Sequence, residues 1–557
     1  MPDASAITRI GLFLGPEDAY APFYAEALER FGVLHQRLER LDADVLVDLD
    51  VVLLAGRGSL SEPTKAALAR WVRAGGVLVA SGGLWGLESM LRVRASGLDF
   101  SRSTIVGSAS PIWPPSARDA VFFGGPQVES ESPLLTTPEG HVVAEAASVG
   151  KGAAALFAPN VGATMALMQL GRSVEIDAIG PTDGSAHLID GRLRAEDGIA
   201  LDYDRDRVGE SFGEPYADSV KEAWLRLILA LAAKLAKPIV MTWPWPRGAE
   251  GAALVTFECQ SPDAGHLAET LRHVRGLGTL ATWLVAPPGF PPDVYRELRR
   301  GAHEIGLLFD AEPPHGWTEE KMKLQHLALS RNAGQTNTSS VRAKDGAWHG
   351  LASLYAMAEA AGPRVSLAKG GRQPGTSGFG FGTCHPFFPA GSQGDRAVIE
   401  VPYLAYAPGA VGSITGMVEA MRACAARHGC AQVAFPIDLA DDPLGLEGLT
   451  RFVAVARDLE FLLTTPERLY QFERGRRKLR IRSLARDDAP AITLIAPHEL
   501  EGLTLMVSGA RPEAVVAGRP LVGRPTRRFG VDWAAFDLDL GSKTPLELQV
   551  RSNRLAA

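Results

Sequence analysis

Ala252-Ala253-Leu254-Val255-Thr256-Phe257-Glu258-Cys259-Gln260-Ser261-Pro262-Asp263 is an apolar run that ends in a carboxylate, a thiol, an amide and a second carboxylate. A continuous apolar run bounded by polar turn residues is how a strand buried on both faces of a parallel sheet reads. Further on, Ala302-His303-Glu304-Ile305-Gly306-Leu307-Leu308-Phe309-Asp310 repeats the pattern. Around these runs, helices are expected over 263–275, 291–300, 350–361, 411–427 and 446–458, and strands over 279–285, 365–367, 397–402 and 432–435. Strands alternating with helices argue for a parallel sheet covered by helices, an α/β architecture.

Upstream, Pro244-Trp245-Pro246-Arg247-Gly248 belongs to a proline-rich stretch, 237–249, expected to be a linker. Residues 1–236 alternate in the same way, with a strand at 8–14 and a helix at about 20–32. Val51-Val52-Leu53-Leu54-Ala55 is a buried run. Ser61-Glu62-Pro63 then opens a helix, with Ser61 as N-cap, that stops at Gly75-Gly76 before the strand Val77-Leu78-Val79-Ala80. Downstream, 476–557 switches to period two in Lys478-Leu479-Arg480-Ile481-Arg482, Leu503-Thr504-Leu505-Met506-Val507 and Phe536-Asp537-Leu538-Asp539-Leu540. Short half-buried strands between Gly/Pro turns predict a small antiparallel β-sandwich. The domain plan is therefore 1–236, a linker at 237–249, 250–475 and 476–557.

At 557 residues the chain exceeds a single domain of about 150 residues. Its hydrophobic share of 46% and charged share of 22% are those of a globular protein. A net charge of −7 gives no electrostatic reason to expect nucleic acid or an anionic membrane as partner. Four scattered cysteines, Cys259, Cys384, Cys424 and Cys430, do not make a disulfide framework. The N-terminus reads as a first strand and not as a signal peptide, and no stretch is long and apolar enough to span a membrane. A cytoplasmic location is expected.

The two opening motifs resemble the first two signatures of the NodB-type polysaccharide deacetylases. In that family a strand ends in Thr-Phe-Asp-Asp and a second in His-Glu-Ile-Gly-Leu-His. The resemblance extends to Gly382-Thr383-Cys384-His385-Pro386-Phe387, to Glu400-Val401-Pro402, to Arg342 and Trp348 of a third motif, and to the closing strand and helix from Phe461. It implies a distorted (β/α) barrel over 250–475. Leu68 to Gly83 resembles the class I glutamine-amidotransferase-like fold, a flavodoxin-like parallel sheet, and especially its non-catalytic members such as the trimerisation domain of certain β-galactosidases. Active amidotransferases place a cysteine nucleophile at the elbow where this chain has Ser81-Gly82-Gly83, and no cysteine precedes Cys259.

The deacetylase resemblance implies a metal held by one Asp and two His, with a carboxylate base and a histidine acid. Here Glu258 stands at the base position, with Cys259 and Gln260 where the metal-binding Asp is found. Leu308 replaces the first metal histidine and Glu312 the second. Leucine ligates nothing, so no metal is expected in the usual place; zinc would need a non-standard site from Cys259, Glu312, His385 and Glu258. Glu258, Arg342 and His385 are the catalytic candidates, and Cys259, Gln260, Asp263, Glu312 and Trp348 the binding candidates. Arg342 could hold a carboxylate or phosphate, or order its own loop through an ion pair. Cys259 and Ser81 could be nucleophiles, or a buried thiol and a tight turn.

The sequence thus predicts a polysaccharide deacetylase-like protein of carbohydrate metabolism without the usual metal-dependent activity, acting as a carbohydrate-binding or scaffold protein. The alternative is an active hydrolase of non-peptide C–N bonds using Glu258 and a rearranged site. The expected partner is a carbohydrate or amide-containing small molecule, with self-association in a homo-oligomer open, and neither nucleic acid nor membrane.

Overall fold

The computed structural model describes residues 8–106, 110–117, 119–171, 213–311, 316–336, 338–347, 352–371, 374–391, 394–395, 397–484 and 491–552. The fold is mixed α/β and divides into two compact units. One comprises Met1–Ala166, Ser219–Gly248 and Phe472–Ala557; the other comprises Leu167–Asp218 and Ala249–Gln471. The chain therefore leaves the first unit and returns to it, which the linear domain plan did not contain. Among the described residues no helix is long and apolar enough to cross a membrane.

In the second unit nine strands form one sheet. Its order is Ile399–Glu400, Val365–Ser366, Ser340–Ala343, Glu304–Phe309, Thr282–Val285, Gly251–Cys259, Cys430–Pro436 and Ala405–Tyr406, with Phe461–Leu463 alongside the start of Gly251–Cys259. The pairings are parallel. The two edge strands are neighbours in sequence, separated only by residues 401–404. Four residues reach at most about 14 Å, so the sheet must curl until its edges approach. Backbone bonds fasten this seam: Tyr403 N–H donates to Lys369 O at 2.9 Å and Leu404 N–H to Gln432 O at 2.7 Å.

Register then decides which side chains meet inside the curl. Thr256, Thr282 and Glu304 are aligned, and two residues further along Glu258 lies beside Leu284 and Pro436. Alternate residues of a strand face opposite sides, so Thr256 and Glu258 share the inner face. Phe257 faces the other way and stacks on Trp283 at 4.5 Å. Local signals fix the covering helices. Asp263 caps Ala264–Gly276 by accepting from Gly265 N–H at 2.7 Å and His266 N–H at 3.0 Å. Asp442 caps Pro443–Asp458 through Leu444 N–H at 3.1 Å.

In the first unit, a seven-stranded sheet runs Gln36–Leu38, Ile10–Leu14, Val51–Ala55, Val77–Ser81, Gly152–Phe157, Val142–Val149, Leu135–Thr136. Its first five strands pair in parallel and the last two antiparallel. The helix Glu62–Ala74 carries the expected Ser61 cap, to Thr64 N–H at 3.3 Å. Part of the segment read as a linker is instead a strand: Val240–Thr242 pairs antiparallel with Leu505–Val507, and Trp243 and Trp245 are buried beyond it. The apolar gain from burying two indoles outweighs the local turn chemistry of the prolines. The C-terminal strands fall into two antiparallel sheets sharing one apolar cluster that includes Val240, Ile492, Leu505, Phe536 and Leu548.

Candidate functional site

Strand Gly251–Cys259 carries Glu258 near its C-terminal end, and Ser340–Ala343 carries Arg342. Arg342 Nε lies 2.7 Å from Glu258 Oε1, and both side chains are buried, 2% and 3% exposed. The contact is an ion pair and not an aligned hydrogen bond, since neither Nε nor Nη1 meets hydrogen-bond geometry with a described residue. The other carboxylate oxygen, Oε2, accepts from Tyr406 Oη–H at 3.1 Å and from Gln260 Nε2–H at a long 3.5 Å.

Tyr403 and Tyr406 come from the seam that joins the edge strands. The Arg342 guanidinium lies 4.0 Å from the Tyr403 ring centre and 5.4 Å from that of Tyr406. A cation over aromatic faces is attracted by the ring quadrupoles. Burial on its own would lower the Arg342 pKa; Glu258, Tyr403 and Tyr406 outweigh it and raise it, so the group is a fixed cation. Burial, followed by Glu258, pushes the Tyr406 hydroxyl up, keeping it a neutral donor. Nearby, buried Glu400 accepts from Ala368 N–H and Lys369 N–H at 3.1 and 2.9 Å. Its carboxyl is raised by burial against the opposing pull of Ser366 and Lys369.

This arrangement does not fit the metal that the deacetylase resemblance implies. Leu308 is the register partner of Arg342, so the strand position of the first metal histidine is an apolar wall. A divalent ion on Glu258 would sit against a guanidinium that already neutralises it. Cys259 follows Glu258 but alternates to the other face of the sheet. It is fully buried, and burial with Glu258 close by holds its thiol well above the usual range. That environment suits a packed thiol and not a thiolate nucleophile.

The structure separates the remaining candidates. Asp263 is exposed and spends its carboxylate on the helix cap, the two backbone N–H groups holding it below the usual carboxylate range. His385 joins neither Glu258 nor Cys259; it groups with Asp218 and Cys384. Of the catalytic candidates Glu258, Arg342 and His385, the first two lie together, joined by Tyr403 and Tyr406, and His385 lies elsewhere. Glu312 and Trp348 lie outside the described residues. The two tyrosines escaped the sequence reading because no spacing rule relates a seam segment to strands elsewhere; the clue was a pair of tyrosines directly after an expected strand.

Beside the pair opens a cavity of about 640 Å³, lined by Ala407, Phe435, Pro436, Asp438, Leu439 and Asp442 among others. Ala407 follows Tyr406, and Pro436 is the register partner of Glu258. Volume of this order suits a small organic ligand. In the first unit, Ser81 is fully buried, 3.1 Å from Tyr24 Oη and donating to Pro159 O at 3.3 Å. No base faces it among these partners, which is the arrangement of a structural turn.

No protein-family model matches the sequence, and no curated protein matches it. Among solved structures the chain is similar to the carbohydrate deacetylase Agd3, with 9% identity, 99% of this chain and 100% of that one covered, and a TM-score of 0.44. It is also similar to the family 4 carbohydrate esterase from Streptomyces lividans in complex with acetate: 12% identity, 40% of this chain and 96% of that one, TM-score 0.26. A β-galactosidase from Bacillus circulans sp. alkalophilus is similar over 28% of this chain and 29% of its own, with 15% identity and a TM-score of 0.23.

Proposed function

We propose that this chain is a polysaccharide deacetylase-like protein that binds carbohydrate through its barrel and lacks the usual metal-dependent activity. One observation carries the reading: the Arg342 guanidinium lies 2.7 Å from the Glu258 carboxylate, both buried at the end of the barrel strands. Separating such a pair leaves an uncompensated buried charge and costs several kcal/mol, about 3–5. The pair is therefore a fixed feature of the strand ends, and Pro436, the register partner of Glu258, lines the cavity. The adjoining cavity offers Asp438 and Asp442 as acceptors for hydroxyl groups, and Phe435, Pro436 and Leu439 as apolar surface for the C–H face of a sugar ring. That mixture suits a neutral polyhydroxylated ligand better than an anion.

The competing reading makes Glu258 the base of an amide hydrolase. It is disfavoured because Glu258 is only 3% exposed, with the Arg342 cation 2.7 Å from one carboxylate oxygen and Tyr406 donating to the other. For the first unit, we read an amidotransferase-like sheet whose buried Ser81 turn is structural; a role in self-association is tested by the mass of the chain in solution.

The decisive experiment titrates oligosaccharides of N-acetylglucosamine into chelator-treated protein while acetate release is followed in parallel. Saturable binding that resists chelator, releases no acetate and weakens in Asp438→Asn supports the reading. Acetate release that chelator abolishes and zinc restores overturns it.

A further inference from the structure

Asp218, in the first turn of the helix Tyr216–Lys234, meets the Gly382-Thr383-Cys384-His385 segment inside the second unit. Its Oδ2 accepts from Cys384 N–H at 2.7 Å and lies 3.2 Å from Cys384 Sγ. Its Oδ1 accepts from Thr383 Oγ1–H at 2.7 Å and lies 3.6 Å from His385 Nδ1. The carboxylate, thiol and imidazole ligand atoms all lie within 4.8 Å of one another, and all three residues are buried. Two ligands of a tetrahedral zinc, at bond lengths of about 2.0–2.3 Å, stand roughly 3.3–3.8 Å apart. The two separations measured from Asp218 are close to that spacing before any ion draws the ligands in.

Two independent features complete the picture. His385 Nε2 is 2.7 Å from Arg427 O. A carbonyl only accepts, so Nε2 carries a proton, and Nδ1 faces Asp218. A ligating histidine fixed in this way by a backbone carbonyl is the usual outer-shell arrangement of metal sites. Cys424 packs beside Cys384, though its sulfur is not one of the three clustered ligand atoms. Both sulfurs crowd residue 429, where a Cβ would stand 2.3 Å from Cys384 Sγ and 2.8 Å from Cys424 Sγ. Only glycine fits there, and it holds open the space in which the sulfurs converge.

We propose that Asp218, Cys384 and His385 hold a buried zinc ion, distinct from the barrel mouth. On binding, the Cys384 thiol forms a Zn–S bond and gives its proton to solvent, so one proton leaves per ion. Carboxylate and imidazole donate lone pairs without losing a proton, and no electron is transferred. Burial places ion capture during folding. The site does not depend on the carbohydrate reading.

The test begins with full-length protein expressed with zinc, desalted in chelator and measured by elemental mass spectrometry. About one zinc per chain is expected to be retained. Cys384→Ser and Asp218→Ser should each lose at least about 10-fold in retained metal, while Cys259→Ser keeps it. Because these variants can fail to fold, the wild-type chain refolded with cobalt provides a second readout: thiolate-to-cobalt absorption in the near ultraviolet. No retained zinc together with no such absorption overturns the proposal. Retained zinc that is indifferent to both serine variants, or lost with Cys259→Ser, overturns it as well.

Discussion

The curled sheet buries a glutamate near each end, and treats the two in opposite ways. Glu258, near the C-terminal end of its strand, has a guanidinium 2.7 Å away and a tyrosine hydroxyl behind it. Glu304, the first residue of its strand, has only neutral donors: Ser340 Oγ–H, Thr282 Oγ1–H at 3.3 Å and Glu467 N–H at 3.0 Å. Burial outweighs these donors and lifts the Glu304 carboxyl to about 7. The same side chain in the same curled sheet is thus tied to a fixed cation at the mouth and is a titrating acid at the base. What differs is the partner's charge, not the depth of burial.

The largest effect is expected from removing the mouth's cation. Arg342→Met leaves Glu258 uncompensated and should cost about 3–5 kcal/mol in urea unfolding. Adding Glu258→Gln should recover most of that loss; if the double variant is no better than the single, the two side chains are not acting as a pair.

At the base the sign of the pH dependence is the test. The folded chain holds the Glu304 proton more tightly than the unfolded chain, whose carboxyl titrates near 4.5. That contribution is complete below 4.5 and is lost as the pH rises through about 7. Glu304→Gln should therefore gain stability relative to wild type, on the order of 3 kcal/mol, between about pH 5 and pH 8. Its neighbour His303 runs the other way. Burial, then Arg275, lowers it from 6.5 to about 4, and its Nδ1 accepts from Ala281 N–H at 3.2 Å. Its contribution is present above 6.5 and lost as the pH falls toward about 4, so His303→Gln should flatten the acid limb of the stability curve. Parallel pH profiles for the two variants would rule out this assignment.

Tyr406→Phe removes one hydrogen bond to a charged acceptor and should cost about 1–2 kcal/mol, together with weaker ligand binding if the cavity is the site. The smallest effect belongs to Asp263→Ala, which uncaps one exposed helix end. It should lower the melting temperature slightly and leave ligand binding unchanged; lost binding would return Asp263 to the site.

Most strands and helices of the second unit were legible because each is a local pattern: an apolar run, an N-cap, a glycine stop; the helix Glu319–Ala333 and the strand Ser340–Ala343 were not. Glu258 and Arg342 were legible as candidates because each stands in a stretch that resembles a deacetylase motif. Their pairing was not, since Arg342 gave equal reason to expect a ligand anion or an ion pair. The surroundings of His385 were not legible either. Its neighbours, Asp218 and Arg427, lie far away in sequence, and no spacing links a helix start at 218 to a loop at 384.

By itself the sequence determined the α/β class, most of the strand and helix runs of the second unit and the absence of a cysteine before Cys259. Those follow from short-range chemistry: periodicity, capping and residue identity. Only the tertiary structure decided that the seam at 401–404 brings Tyr403 and Tyr406 onto Arg342, that Val240–Thr242 is a strand, and that Asp218 meets Cys384 and His385. Each of these depends on strand register and chain return over long separations, where burial of the whole sheet, and not any local preference, selects the neighbours.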